Sequence, residues 1–230
     1  MELIAVNCFA KGKVTGTSMV GGFAGYAGGS SSGNIIENCY AYGEVIGEES
    51  VGGFAGLTSG STNGNGLILK ACHALGNVTA TQQVGGLVGN FSFHNSVYNC
   101  SATGTVKGTS CVGGLIGDGY AMKEIKNCYS TGDVIANFVG GIIGRTSNSN
   151  ATDITGCYST GNISGVERVG GVMGFCDAIL SLSDCYSTGN ISGQKDVGGV
   201  VGYLYWMRGP MTGCSSQGRV SGDTNIGGLV

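Results

Sequence analysis

Apolar positions along the chain fall into a register that returns about every 29 residues. Aligned on Cys8, Cys39, Cys72, Cys100, Cys128, Cys157, Cys185 and Cys214, the copies share Ala or Ser two residues on, Gly four on (Gly12 to Gly218) and Val or Ile six on (Val14 to Val220). The odd positions vary freely, and the residue after cysteine is Phe9, Tyr40, His73, Ser101, Tyr129, Tyr158, Tyr186 or Ser215. Restriction with a period of two predicts a half-buried β-strand that turns Cys, Ala or Ser, Gly and Val inward. Such small inward residues predict a thin interior.

Two further strands follow from the same alignment. The residue three before cysteine is apolar in every copy, from Ala5 and Ile36 to Met211, which predicts a second strand entering the core. Between them stand Asn7, Asn38, Asn99, Asn127 and Asp184, with Ala71, Gly156 and Gly213 in the other copies. Asn, Asp and Gly tolerate the left-handed backbone of a corner, and stacked asparagines can also bond from copy to copy. The third strand is the Val-Gly-Gly segment that starts at Val20, Val51, Val84, Val112, Val139, Val169 and Val197, and again at Ile226. After its glycines come two apolar columns side by side, Phe23 to Leu229 and Ala24 to Val230. On a flat strand one of them would face water. Either the Gly-Gly pair bends the strand and buries both, or a loop or partner covers the outer one; burial is favoured, because soluble surfaces rarely expose so long an apolar stripe.

A period of this size over 230 residues predicts an all-β fold, a parallel β-solenoid (β-helix) of about eight coils forming a single domain over residues 1–230. Right-handed winding is the default for parallel crossovers. The arm from cysteine to the motif valine is nearly constant in length, whereas the return arm varies, and variable arms are where binding loops are expected. The longest are Tyr26 to Asn38 and Leu57 to Ala71. The most distinctive runs from Tyr203 to Pro210, with the lone Trp and the lone Pro. Met1 falls mid-coil and Val230 inside a motif, so the chain reads as an excerpt of a longer protein with further domains.

Composition removes several functions. Forty-seven glycines with one proline would suggest collagen or disorder, but there is no Gly-X-Y period and the apolar register is regular. Charge is sparse, at net −3, without the basic run that nucleic acid requires, and no apolar stretch is long enough to cross a bilayer as a helix. No Cys-x-x-Cys pair exists, so no zinc site is expected. Stacked cysteines at the strand spacing of roughly 4.8 Å are within disulfide reach. Eight side chains pointing one way nevertheless suit a buried column of reduced thiols better than four strained bridges. No metal or organic cofactor is expected: His73 and His94 read as surface residues, and the Gly-Gly pairs lack the aspartates of calcium-binding nonapeptides.

The stretches Asn-Cys-Tyr-Ser-Thr-Gly-Asn-Ile-Ser-Gly and Val-Gly-Gly-Leu-Val-Gly resemble the GLUG repeats of bacterial secreted and surface proteins, which occur in adhesin-like proteins and beside the catalytic domain of IgA1-specific metallopeptidases. The resemblance covers nearly all of residues 5–230. It implies a β-solenoid, an extracellular or cell-surface setting, and a non-catalytic stalk or adhesive scaffold whose partner would be a host or cell-surface glycan or protein. The His-Glu-x-x-His zinc motif of the metallopeptidases is absent, so their activity is carried onto no residue. The candidate contacts are the outward Tyr129, Tyr158 and Tyr186, with Tyr203, Tyr205 and Trp206, whose rings suit sugar stacking or, as the plainer alternative, cover exposed apolar surface. The rival function is a carbohydrate-active β-helix enzyme, a polysaccharide lyase or hydrolase, which would need Asp177, Asp184 and Arg208 to converge.

Overall fold

The computed structural model describes residues 3–29, 34–61, 66–147 and 152–230. Among them the chain forms a parallel β-solenoid without helix. The second coil is built from Ile35–Glu37, Tyr40–Ala41, Val45–Ile46, Glu49–Gly52 and Ala55–Ser59, and the other coils repeat that order. Equivalent strands pair in parallel into five sheets, four of eight strands and a fifth of seven, which makes seven complete coils and a partial eighth. Equivalent positions pair from coil to coil, with one slip in the fifth sheet: Val51 pairs with Val20 and with Val84, Ile36 with Ala5 and Leu69.

Each coil has five short strands where the sequence pattern predicts three, and glycine is the reason. A Cβ on Gly43 would lie 1.7 Å from the carbonyl oxygen of Gly12 in the preceding coil, and one on Gly76 1.9 Å from that of Gly43. Backbones of successive coils therefore touch at this bend, where only hydrogen fits. The inward alternation survives the bend, but Ala41 and Val45 end up in different sheets.

The bend also divides the interior. A larger cluster holds Ile36, Cys39, Phe54, Ala55, Leu69 and their equivalents, and a smaller one is made mostly of the valines of the third and fourth strands, such as Val45, Val51, Val78 and Val84. At the waist between them the second glycine of the pair faces the opposite wall: a Cβ on Gly53 would come within 3.0 Å of Ala74 Cβ and 3.2 Å of Val78 Cγ2. The same Gly-Gly bend buries both apolar columns. Phe54 with Ala55, Leu87 with Val88 and Ile142 with Ile143 are all fully enclosed.

All eight corner residues before cysteine adopt the left-handed conformation, from Ala71 at φ 49° to Gly156 at φ 65°. Asn38 Nδ2 donates to Asn7 Oδ1 at 2.5 Å across that corner. A second left-handed column, absent from the sequence reading, lies one residue before the motif valine at Met19, Ser50, Gln83, Cys111, Arg168, Asp196 and Asn225. None of Met, Gln, Cys or Arg signals such a backbone; stacking imposes it. A second ladder was hidden in a column read as permissive. Asn77, Asp133, Asn162 and Asn190 each accept the backbone N–H of the next coil through a side-chain oxygen, at 2.8–3.2 Å.

Candidate functional site

The cysteine column lies in the larger core. Cys39, Cys72, Cys100, Cys128, Cys157 and Cys185 are buried, Cys214 half-buried and Cys8 exposed, and all are free thiols. Each sulfur sits between coils: Cys72 Sγ donates to Ile36 O at 3.3 Å while the Cys72 N–H donates to Cys100 Sγ at 3.3 Å. Burial pushes the Cys100 and Cys128 thiols far up, so they stay protonated and inert near neutrality.

The outward tyrosines form a ladder. Tyr129 and Tyr158 stack with centroids 5.1 Å apart at 7°, and Tyr158 and Tyr186 at 4.9 Å and 4°. The inner faces of the three rings are thus spent on each other, which leaves a sugar only edges and the two end faces. His73 occupies the same column, tilted against Tyr40 with its Nδ1 2.8 Å from Ser101 Oγ, while His94 Nδ1 lies 3.0 Å from Ser61 O. No group of three or more metal-ligating side chains occurs among the described residues.

Tyr203, Tyr205 and Trp206 lie on a strand, Val201–Met207, and not on the loop that the return arm suggested. The tips of the two longest arms, residues 30–33 and 62–65, fall outside the described residues. Register slips where this strand pairs with Met173–Ile179, around Asp177 and the left-handed Ala178. Thr146 pins the irregularity, accepting the Asp177 N–H at 3.1 Å through Oγ1. The bulge re-aims the chain, so Tyr205 is 69% exposed and Trp206 next to it 50%.

Beside that strand lies a cleft that sequence reasoning missed. It opens between the second left-handed column and the outward column of the fifth sheet, in which Asn90, Asp118, Arg145, Phe175 and Tyr203 are register partners. Asp118 is buried and receives Arg145 through two bonds, Nε to Oδ1 at 3.0 Å and Nη2 to Oδ2 at 2.6 Å, while Gln83 Nε2 donates to Oδ2 at 3.1 Å. One coil further on, the Arg168 guanidinium packs over Phe138, Phe175 and Tyr203 at 5.5, 4.9 and 5.3 Å. Between the two arginines is a cavity of about 100 Å³, with Cys111 in its wall. Burial pushes the Cys111 thiol up, although both guanidinium groups pull it down. Only the pairing of successive coils reveals this cleft, because its column reads Asn90, Asp118, Arg145, Phe175 and Tyr203, with no residue type kept along it.

The GLUG motif matches residues 80–107 and 108–135. Residues 80–135 are a GLUG-repeat region. Each GLUG match is 28 residues, one turn of the solenoid, and the sheets run through the matched turns in unbroken register with the coils on either side. No curated protein and no solved structure matches the chain. The GLUG coils carry Gln83, Ser110, Cys111 and Asp118 of the cleft; its remaining walls come from coils beyond the match. Asp177 lies on a fifth-sheet strand and Asp184 at the corner after a first-sheet strand, and no ion pair joins either to Arg208 among the described residues.

Proposed function

We propose that the chain is a non-catalytic spacer and binding scaffold, a rigid segment of a bacterial secreted or cell-surface protein that presents its aromatic edge to a host or cell-surface glycan or protein. One observation carries this reading: four parallel sheets run through all eight coils and a fifth through seven, so the periodic side chains are used in holding coil to coil. A stack of that kind resists bending, because each coil contacts only its neighbours through a full set of backbone bonds. The exposed Tyr205 and Trp206 support a contact role at one end of the rod.

Small-angle scattering tests the spacer: a rod of constant cross-section is expected, and a collapsed or flexible particle would overturn it. A glycan array with wild type and Trp206→Ala tests the contact. Lost binding at an unchanged melting temperature supports recognition, whereas a lowered melting temperature with binding intact makes Trp206 a cover for apolar surface.

A further inference from the structure

The geometry points to a carboxylate-binding site in the cleft between Arg145 and Arg168, which makes the aromatic edge selective for acidic sugars, the uronates. This deepens the glycan-contact reading and rests on it. Arg168 is held over the rings of Phe138, Phe175 and Tyr203, yet its Nε is buried with no hydrogen-bond partner. A buried N–H on a cation is costly to leave unmade, and an oxygen entering the cleft would satisfy it. Its neighbour Glu167 does not: the Oε1 is 3.7 Å from Nε and is drawn instead to Lys195 Nζ at 3.3 Å.

Charge decides the class of ligand. Arg145 is neutralised by Asp118 and spends Nε and Nη2 on it, leaving Nη1 for a second acceptor. The cleft therefore offers one guanidinium only loosely paired, with Glu167 Oε1 3.7 Å from its Nε and shared with Lys195, and the free Nη1 group of a second, a match for a single carboxylate and not for a highly charged phosphate group. Its volume of about 100 Å³ is well below the roughly 300 Å³ at which whole-ligand pockets begin, so it takes one functional group. The remainder of the sugar would lie along the outer face, where Tyr203 leads to the exposed Tyr205 on the same strand. Aromatic faces beside a guanidinium suit a ring that carries an acid.

The test compares an oligogalacturonate with its methyl ester, which keeps every ring and removes the charge, by calorimetry on the intact chain. The acid is expected to bind at least tenfold tighter than the ester, and the Nε–Hε resonance of Arg168 to shift with the acid alone. Arg168→Gln should bring the acid down to the level of the ester. Glutamine already occupies this left-handed column at Gln83, so the fold accommodates it. Equal binding of acid and ester, or an acid affinity that Arg168→Gln leaves unchanged, would overturn the carboxylate site while leaving the aromatic contact standing. Acid-selective binding that Trp206→Ala and Tyr205→Ala do not weaken would support the carboxylate site and remove the aromatic contact. No binding of either sugar by the wild type would overturn the carboxylate site and leave the spacer, which scattering judges separately.

Discussion

At the scale of single residues, two atoms set what this chain tolerates: the glycine hydrogen and the cysteine sulfur. A Cβ on Gly86 would stand 2.1 Å from Gly114 O and 2.7 Å from Ala102 Cβ, whereas at Gly228, in the same column, nothing lies within 4 Å. Gly86→Ala is therefore expected to cost at least about 3 kcal/mol and Gly228→Ala less than about 0.5, read as urea-unfolding midpoints. Equal effects would show that the column is not kept for space. For sulfur the probe is alkali. Burial pushes the Cys176 thiol from 9.0 up to about 12. The folded value lies above the unfolded one, so the folded state holds the proton more tightly. Its stabilising contribution is complete below pH 9 and drains as pH rises from 9 toward 12, by at most about 1.4 kcal/mol per pH unit. The wild-type midpoint should fall between pH 9 and 11 more steeply than that of Cys176→Ala; parallel slopes would refute the assignment.

Among elements, the fifth sheet differs from the rest because its outward columns carry charge and rings together. Asp118 is 4% exposed and depends on Arg145, whose side chain is 43% exposed. Removing one partner of a buried pair costs about 3–5 kcal/mol, and solvent around Arg145 lowers that to about 2. Arg145→Ala should thus lose about 2 kcal/mol in thermal or urea unfolding, and adding Asp118→Asn should restore part of it, since the stranded charge is then gone. If the double variant were less stable than the single one, Asp118 would be held by Gln83 and its surroundings and not by Arg145. The tyrosine ladder behaves differently, because its rings are half-buried and each rung resembles the next.

For the whole molecule the governing fact is one-dimensional order. Eight coils at the strand spacing of roughly 4.8 Å make a rod roughly 35–40 Å long, and its stability is approximately a sum over coils and the contacts between neighbours. Deleting residues 80–107, one complete GLUG turn, joins Thr79 to Gly108 in register. The product is expected to keep the β-sheet circular dichroism of the parent, unfold cooperatively and lose stability by about one coil's share. Failure to fold would mean that the coils are not interchangeable. The same deletion takes out Gln83 and leaves Arg145 with Asp118, so the cleft should survive it.

The sequence alone determined what repeats. Cys39, Ala41 and Val45 recur at even spacing because inward side chains in a stacked strand must match the coil above and below, and Asn38 marks a corner because asparagine tolerates left-handed backbone. A coil cross-section cannot be read the same way. That Val45 belongs to a second core, that Gly43 splits one strand into two, and that Arg168 holds left-handed backbone follow from contacts between coils, which leave no local preference in composition. The cleft was invisible for the same reason: Asp118, Arg145, Phe175 and Tyr203 stand roughly a period apart in sequence, an acid, a base and two rings, and only parallel pairing brings them into one column.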